Sequence, residues 1–260
     1  MSTQQGVPEV MVKAMAAQVK DGDRVLHGLA SPLPVLAMAL AKLTHAPNAV
    51  LFSVAEGLDP DVHRVRLALS SADPALAQGA VAFTELVDAF DLCQRGELDV
   101  MFLGAAQVDM YGNTNLSAIG DYAKPKVRLP GGAATAHMMS LMPKTVIWAP
   151  RQSARNFVPR VDFRTGVGYL HGGDSREASG ARPTTLKLVS NLAVYGFDPR
   201  TGIMRAESLH PGVTPDAVRE NTGFGIDVPD DLPVTPAPDD KELELISGLD
   251  PDGVRYSEFR

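Results

Sequence analysis

The sequence predicts an α/β protein on a mostly parallel sheet with helices on both faces. Three observations carry that expectation. Arg24 to His27 reads as a short strand, followed by the small-residue loop Gly28-Leu29-Ala30-Ser31-Pro32 and then a helix. That is the strand, loop and helix with which a parallel sheet opens. Val100-Met101-Phe102-Leu103 is an apolar run set between Asp99 and Gly104, the pattern of a strand buried on both faces. Thr145 to Ala149 is a second such run and places Trp148 in or beside the sheet.

Taken in order, Val10, Met11, Ala14, Met15, Ala17 and Val19 recur at helical spacing from Pro8 to Val19, and Lys20-Asp21-Gly22-Asp23 ends that helix. The second helix runs from Pro34 to Leu43. Ser31 is placed to cap it, and Pro32 and Pro34 fall where the first turn has no N–H partner to lose. Ala49 to Val54 is the next strand. His63 to Ser71 and Asp73 to Ala80 carry no clear register, and Thr84 to Leu92 is amphipathic up to Gly96. Val158 to Phe163 suits an edge strand, because Pro159 cannot donate to a ladder. Gly166 to Arg182 is a Gly-rich polar loop. Lys187 to Tyr195 and Ile203 to Leu209 frame the turn Asp198-Pro199-Arg200-Thr201-Gly202 and give antiparallel additions near the C-terminus. Thr214-Pro215-Asp216 starts a capped helix that stops at Gly223. Residues 228–240, rich in proline and aspartate, form an extended segment against a surface, and Lys241 to Leu249 is a final helix. With no repeat and no flexible linker, 1–260 reads as a single domain with an extended Pro-rich arm, 228–260.

Two stretches carry candidate chemistry. Glu56 follows the strand Ala49 to Val54, and open α/β sheets place their chemistry at the C-terminal ends of strands. The second stretch begins with Gly104-Ala105-Ala106, where the lack of bulk lets a backbone or a ligand approach. Gln107, Asp109, Asn113 and Asn115 crowd the following connection. Leu129-Pro130-Gly131-Gly132-Ala133-Ala134 then forms a loop whose N–H groups no bulky side chain covers, suited to an oxyanion or an anionic ligand.

A net charge of −7 argues against a nucleic-acid binder that relies on bulk positive charge. The single cysteine, Cys93, allows no intrachain disulfide and no cysteine-based metal cluster, and its apolar neighbourhood suits a core thiol. No metal site is expected. The N-terminus lacks a signal pattern and no apolar run approaches a membrane span, so a cytoplasmic protein without a membrane partner is expected.

Gly104-Ala105-x-Gln107-Val108-Asp109-x-x-Gly112-Asn113, Arg128-Leu129-Pro130-Gly131, and Val158-x-Arg160-Val161-Asp162-Phe163 resemble the β subunit of class I CoA-transferases, closest to the glutaconate CoA-transferase branch. The stretches Val189 to Val194, Ser208 to Val213 and Thr222-Gly223-Phe224 extend the resemblance over nearly the whole chain. It implies an enzyme active only with a homologous α subunit, in an α₂β₂ assembly. It implies a coenzyme A thioester and a small carboxylic acid as substrates, with no permanently bound cofactor. It places Glu56 as the nucleophile and puts Gly131, Gly132, Ala133, Gln107 and Asn113 around the oxyanion and the CoA. His137 is either a packing or capping residue or a general base.

Two departures stand out. The family commonly shows Glu-x-Gly where this chain has Glu56-Gly57, and further glycines where Ala133 and Ala134 stand. The second departure brings forward the β subunit of the steroid-ring hydrolase, which resembles these transferases but opens a ring of a CoA thioester with water. A non-catalytic subunit completing a site on the α chain is the third reading.

Overall fold

The computed structural model describes residues 6–53, 57–70 and 72–259, and the chain falls into two compact units. One comprises the residues up to Leu103 together with Thr235–Arg260, and the other comprises Gly104–Val234.

In the first unit, helix α1 (Val7–Ala16) leads into strand β1 (Arg24–His27) and helix α2 (Pro32–Leu43). Strand β2 (Val50–Phe52) pairs parallel with β1, and β5 (Val100–Gly104) flanks β1 on the other side, also parallel. Between them in sequence, β3 (Gly57–Leu58) adds antiparallel to β2 and β4 (Ala82–Phe83) antiparallel to β3, and α3 (Leu86–Arg95) follows. Antiparallel pairing was expected only toward the C-terminus. Two-residue strands carry no alternation, so β3 and β4 left no signal in the sequence. Met11, Met15, Leu33, Leu36 and Leu40 lie fully buried between α1, α2 and the strands. Ser31 starts α2 but does not cap it, since its hydroxyl donates back to the Leu29 carbonyl. The Leu33 N–H, one of the few donors that two prolines leave in that first turn, is instead accepted by the carboxyl of Glu258. Burial pushes that carboxyl up to about 8. Cys93 is buried on α3.

In the second unit, β6 (Gln107–Asp109) and β7 (Thr114–Asn115) form a hairpin, and β8 (Ala118–Ile119) pairs with β9 (Val127–Arg128). The short helix α4 (Thr135–Met138) precedes β10 (Lys144–Ala149). Strand β11 (Phe157–Val158) joins β6 in parallel, and a single helical turn, α5 (Ser175–Ala178), interrupts the Gly-rich loop. Strand β12 (Thr185–Ser190) pairs parallel with β10, while β13 (Ala193–Phe197) and β14 (Met204–Leu209) continue antiparallel. The apolar run 187–195 is therefore a hairpin, not one strand. The Ser190 hydroxyl accepts the N–H groups of Leu192 and Ala193 and turns the chain where no glycine marks it. Thr214 caps α6 (Pro215–Glu220) through the Ala217 N–H, as its sequence requires. Residues 227–234 then run along β14, with Ala206 donating to the Asp227 carbonyl and Leu209 to that of Pro233. This backbone covers the outer edge of β14.

The C-terminal residues return to the first unit. Helix α7 (Asp240–Leu249) starts on a capping box between Asp239 and Glu242 and is followed by a 3₁₀ segment, Val254–Phe259. Here Arg255, itself buried, reaches Glu9 of α1 at 2.7 Å and Asp250 at 2.8 Å, while Tyr256 also donates to Glu9. Removing the cation leaves two carboxylates buried without it. Arg255→Ala is expected to cost about 3–5 kcal/mol. Chemical denaturation checks this, and the double variant Arg255→Met with Glu9→Gln is expected to recover part of the loss.

Candidate active site

The segment carrying Glu56 lies outside the described residues, but its flanks are in place. Ser53 donates its N–H to the Gly57 carbonyl at 3.0 Å, and Phe52 pairs with Leu58. A Cβ on Gly57 would stand 2.9 Å from Cβ of Ala77, so packing on the 3₁₀ turn Pro74–Ala77 excludes a side chain there. A cavity of about 30 Å³ lies at the same strand ends, lined by His27, Leu51, Phe52, Ser53 and apolar side chains of α2 and the 60s loop. Its lining is apolar nearly throughout. His27 ends β1 with Nδ1 3.0 Å from the Gly28 carbonyl, which fixes the proton on Nδ1 in the neutral ring. Burial drives its pKa down to about 4, partly opposed by that hydrogen bond.

In the second unit, the residues expected around the oxyanion fall into two roles. Asn113 is buried, and its Nδ2 donates to Asp109 and to the Leu170 carbonyl at 2.8 Å. Its Oδ1 accepts the N–H groups of Gly168 and Leu170. Gln107 is buried as well. Its Oε1 accepts from Asn115 at 2.7 Å and from the Asp162 N–H, and its Nε2 donates to the Asp162 carboxylate at 3.3 Å. Several of these partners lie more than fifty residues apart in sequence, and they show what the motif residues Gln107, Asn113 and Asp162 do here: they lock a hairpin to the loops that cross it. Asp109 holds Tyr111 and Asn113 in the turn, and burial raises its carboxyl above the ordinary range against those hydrogen bonds.

The glycine loop is held from below. Gly131, at φ 102°, donates its N–H to the Leu116 carbonyl at 2.7 Å, and the Gly132 carbonyl accepts from Thr135 at 2.7 Å. A Cβ on Gly132 would lie 2.3 Å from Cγ2 of Thr165, so only glycine fits. Thr165 in turn accepts the Leu116 N–H at 2.9 Å and meets the Ser117 hydroxyl at 2.7 Å. Among the described residues no protein acceptor takes the N–H of Gly132 or Ala133. Ala133 sits at φ 41°, a conformation that costs an alanine on the order of 1 kcal/mol and is found where function over-determines the backbone. These two N–H groups lie on a half-exposed turn and are open to a ligand or to water. His137 follows on α4 with its side chain exposed.

Sequence reasoning missed Thr165 and Arg176. The guanidinium of Arg176 is buried and donates to the carbonyls of Val167, Gly168, Arg182 and Met139 at 2.7–2.9 Å, organising the Gly-rich loop without a carboxylate. A lone arginine in a polar loop carries no local signal of that role. What approaches Gly104 is Trp148: a Cβ there would stand 3.3 Å from the indole. Arg151 and Arg155 are exposed. Among the described residues no helix is long and apolar enough to cross a membrane.

Comparison with known proteins places the chain among relatives of one family. Residues 9–221 match the family model described as Coenzyme A transferase. The chain is 39% identical over 246 residues to the B subunit of 3-oxoadipate CoA-transferase from Pseudomonas knackmussii, covering 93% of this chain and 92% of that protein. It is 32% identical over 253 residues to the IpdB subunit of the cholesterol ring-cleaving hydrolase from Mycobacterium tuberculosis, covering 97% and 98%. The crystal structure of glutaconate coenzyme A-transferase from Acidaminococcus fermentans superposes with a TM-score of 0.85 at 27% identity, covering 94% of this chain and 95% of that one.

The buried histidines make stability pH-dependent. His27 and His210 are both held near pKa 4 by burial, against 6.5 unfolded. The unfolded chain therefore binds more protons between those values. The histidines' contribution to stability is complete above about pH 6.5 and falls as pH drops toward 4, by up to roughly 3 kcal/mol per histidine, while the raised Glu258 carboxyl acts in the opposite direction, losing stability as pH rises toward 8. Urea unfolding at several pH values checks this, and His210→Gln is expected to flatten the slope.

Proposed function

The chain belongs to the coenzyme A transferase family, and from that premise we propose that it is the β subunit of a two-subunit enzyme that moves CoA between an acyl-CoA and a carboxylic acid through a glutamyl intermediate. The observation that carries the reading is the 39% identity to the B subunit of a CoA-transferase over nearly the full length of both chains. The assigned partner is a homologous α subunit, in an α₂β₂ assembly, and the assigned compartment is the cytoplasm.

In this reading the carboxylate of Glu56 attacks the thioester carbonyl. The C–S bond breaks, CoA leaves as thiolate, and an acyl-glutamyl anhydride remains. The thiolate then attacks the glutamyl carbonyl and releases the acyl group as a carboxylate. The resulting glutamyl-CoA thioester passes its CoA to the incoming acid by the reverse steps. Each step develops charge on a carbonyl oxygen. The N–H groups of Gly132 and Ala133 are the donors we assign to it, with Gly131 bracing the turn through Leu116. Gln107 and Asn113 act by holding the loops, and His137 is assigned to the rim of the site and not to proton transfer. A carboxylate is a weak nucleophile and an anhydride is easily hydrolysed, so water must be kept out.

The similarity to the IpdB subunit, together with Ala133 and Ala134 in place of glycines, favours a second reading, hydrolytic opening of a carbon ring in a substrate carried as its CoA thioester. Glu56→Gln separates the two. Measured with the α subunit present, transfer is expected to fall roughly 10⁴-fold while acyl-CoA binding persists, because the amide keeps the volume but forms no anhydride. Turnover within a few-fold of the parent would contradict the assignment of Glu56.

A further inference from the structure

The hydroxyl of Ser117 stands beside the glycine turn, and the glutamyl mechanism leaves it unused. Two backbone bonds carry the β8–β9 pairing up to that turn. Leu129 donates its N–H to the Ser117 carbonyl at 3.0 Å, and Gly131 donates to that of Leu116. Ser117 is pinned from its other side as well, since Asn115 Oδ1 accepts its N–H at 2.9 Å. Its Oγ lies 2.7 Å from Oγ1 of Thr165, the residue whose Cγ2 occupies the space that a side chain on Gly132 would need.

Burial decides which of the two hydroxyls donates. Thr165 is buried, and its Oγ1 already accepts the Leu116 N–H at 2.9 Å. If Ser117 donated to it, Thr165 would hold a proton with no acceptor among the described residues, and a buried donor left unpaired is costly. With Thr165 donating, its oxygen and its proton are both matched, and the Ser117 oxygen receives a bond. The Ser117 proton then remains, on a residue that is only half-buried, and no acceptor among the described residues takes it. A hydroxyl that accepts one hydrogen bond donates a stronger one. We infer that Ser117 is a third donor to the acyl oxygen bound at the glycine turn, alongside the N–H groups of Gly132 and Ala133, and that Thr165 positions it. An oxygen that gains negative charge as a thioester carbonyl is attacked benefits most from donors fixed beforehand. Ser117 is fixed at its N–H, its carbonyl and its Oγ. The inference rests on the β-subunit reading above.

The test uses the full-length chain with its α subunit present and compares the parent with Ser117→Ala, Thr165→Val and Thr165→Ser. Ser117→Ala is expected to lower kcat for acyl transfer roughly 10²-fold with KM within a few-fold of the parent, because the bond matters most once the oxygen is charged. Thr165→Val keeps a methyl against Gly132 but removes the hydroxyl, and should lower kcat in the same way. Thr165→Ser keeps the hydroxyl and should recover most of that loss. Ser117→Cys, a weak donor of similar shape, replaces Ser117→Ala if circular dichroism shows that variant misfolded. A Ser117→Ala enzyme whose kcat stays within a few-fold of an active parent would overturn the inference and leave the β-subunit reading standing. A rise in KM alone would also overturn it, since Ser117 would then contact only the ground state. Thr165→Ser losing as much as Thr165→Val would overturn the positioning role. A parent that shows no transfer with the α subunit present would overturn the β-subunit reading and the inference with it.

Discussion

The carboxamide of Asn113 is the joint on which the second unit depends. It is buried, and every polar atom it has is used: three acceptors take its N–H groups, and its oxygen takes the N–H groups of Gly168 and Leu170. Those bonds clamp the 166–170 loop onto the β6–β7 hairpin so closely that a Cβ on Gly168 would lie 2.3 Å from the Gly112 backbone. The clamp sets the next contacts in turn. Thr114 accepts from Thr165 and Gly166, Thr165 supports Leu116, and the Leu116 carbonyl anchors Gly131. The direction of the Gly132 and Ala133 N–H groups is thus fixed by a buried amide nearly twenty residues earlier. The proposed oxyanion role would need donors that do not reorganise, and this chain of hydrogen bonds holds the loop in one conformation.

The parts of the fold legible in the sequence were those whose signal is local. Strand β1, the run at β5 and the capped start of α6 sit where the apolar pattern and Thr214 place them. Elements defined by distant partners were not legible. Strands β3 and β4 are two residues each and exist through pairing, β3 with β2 and β4 with β3. The β12–β13 turn hides in an apolar run because Ser190 does the work usually left to glycine. The candidate site divides the same way. Its glycine loop was visible as Leu129-Pro130-Gly131-Gly132, whereas the reason Gly132 tolerates no side chain is Thr165, thirty-three residues on. Gln107 and Asn113 stood out as polar residues crowded in a loop, but sequence alone could not say that their hydrogen bonds turn inward.

The family to which the chain belongs includes both transferases and a ring-cleaving hydrolase among its near relatives, so fold alone does not choose the reaction. The choice rests on water. Among the described residues the strand-end cavity is lined almost wholly by apolar groups, and His27 beside it is buried and neutral. Under the proposed transfer, surroundings of this kind would favour attack by Glu56 over attack by water.

Trapping the intermediate tests that account most directly. The heteromer is incubated with acyl-CoA, treated with borohydride, and digested for mass spectrometry. The account predicts one modified residue in this chain, Glu56, reduced to the alcohol in proportion to the acyl-CoA supplied, and no ¹⁸O from solvent in the product thioester. An unmodified Glu56, with solvent ¹⁸O entering the released acid at every turnover, would contradict it.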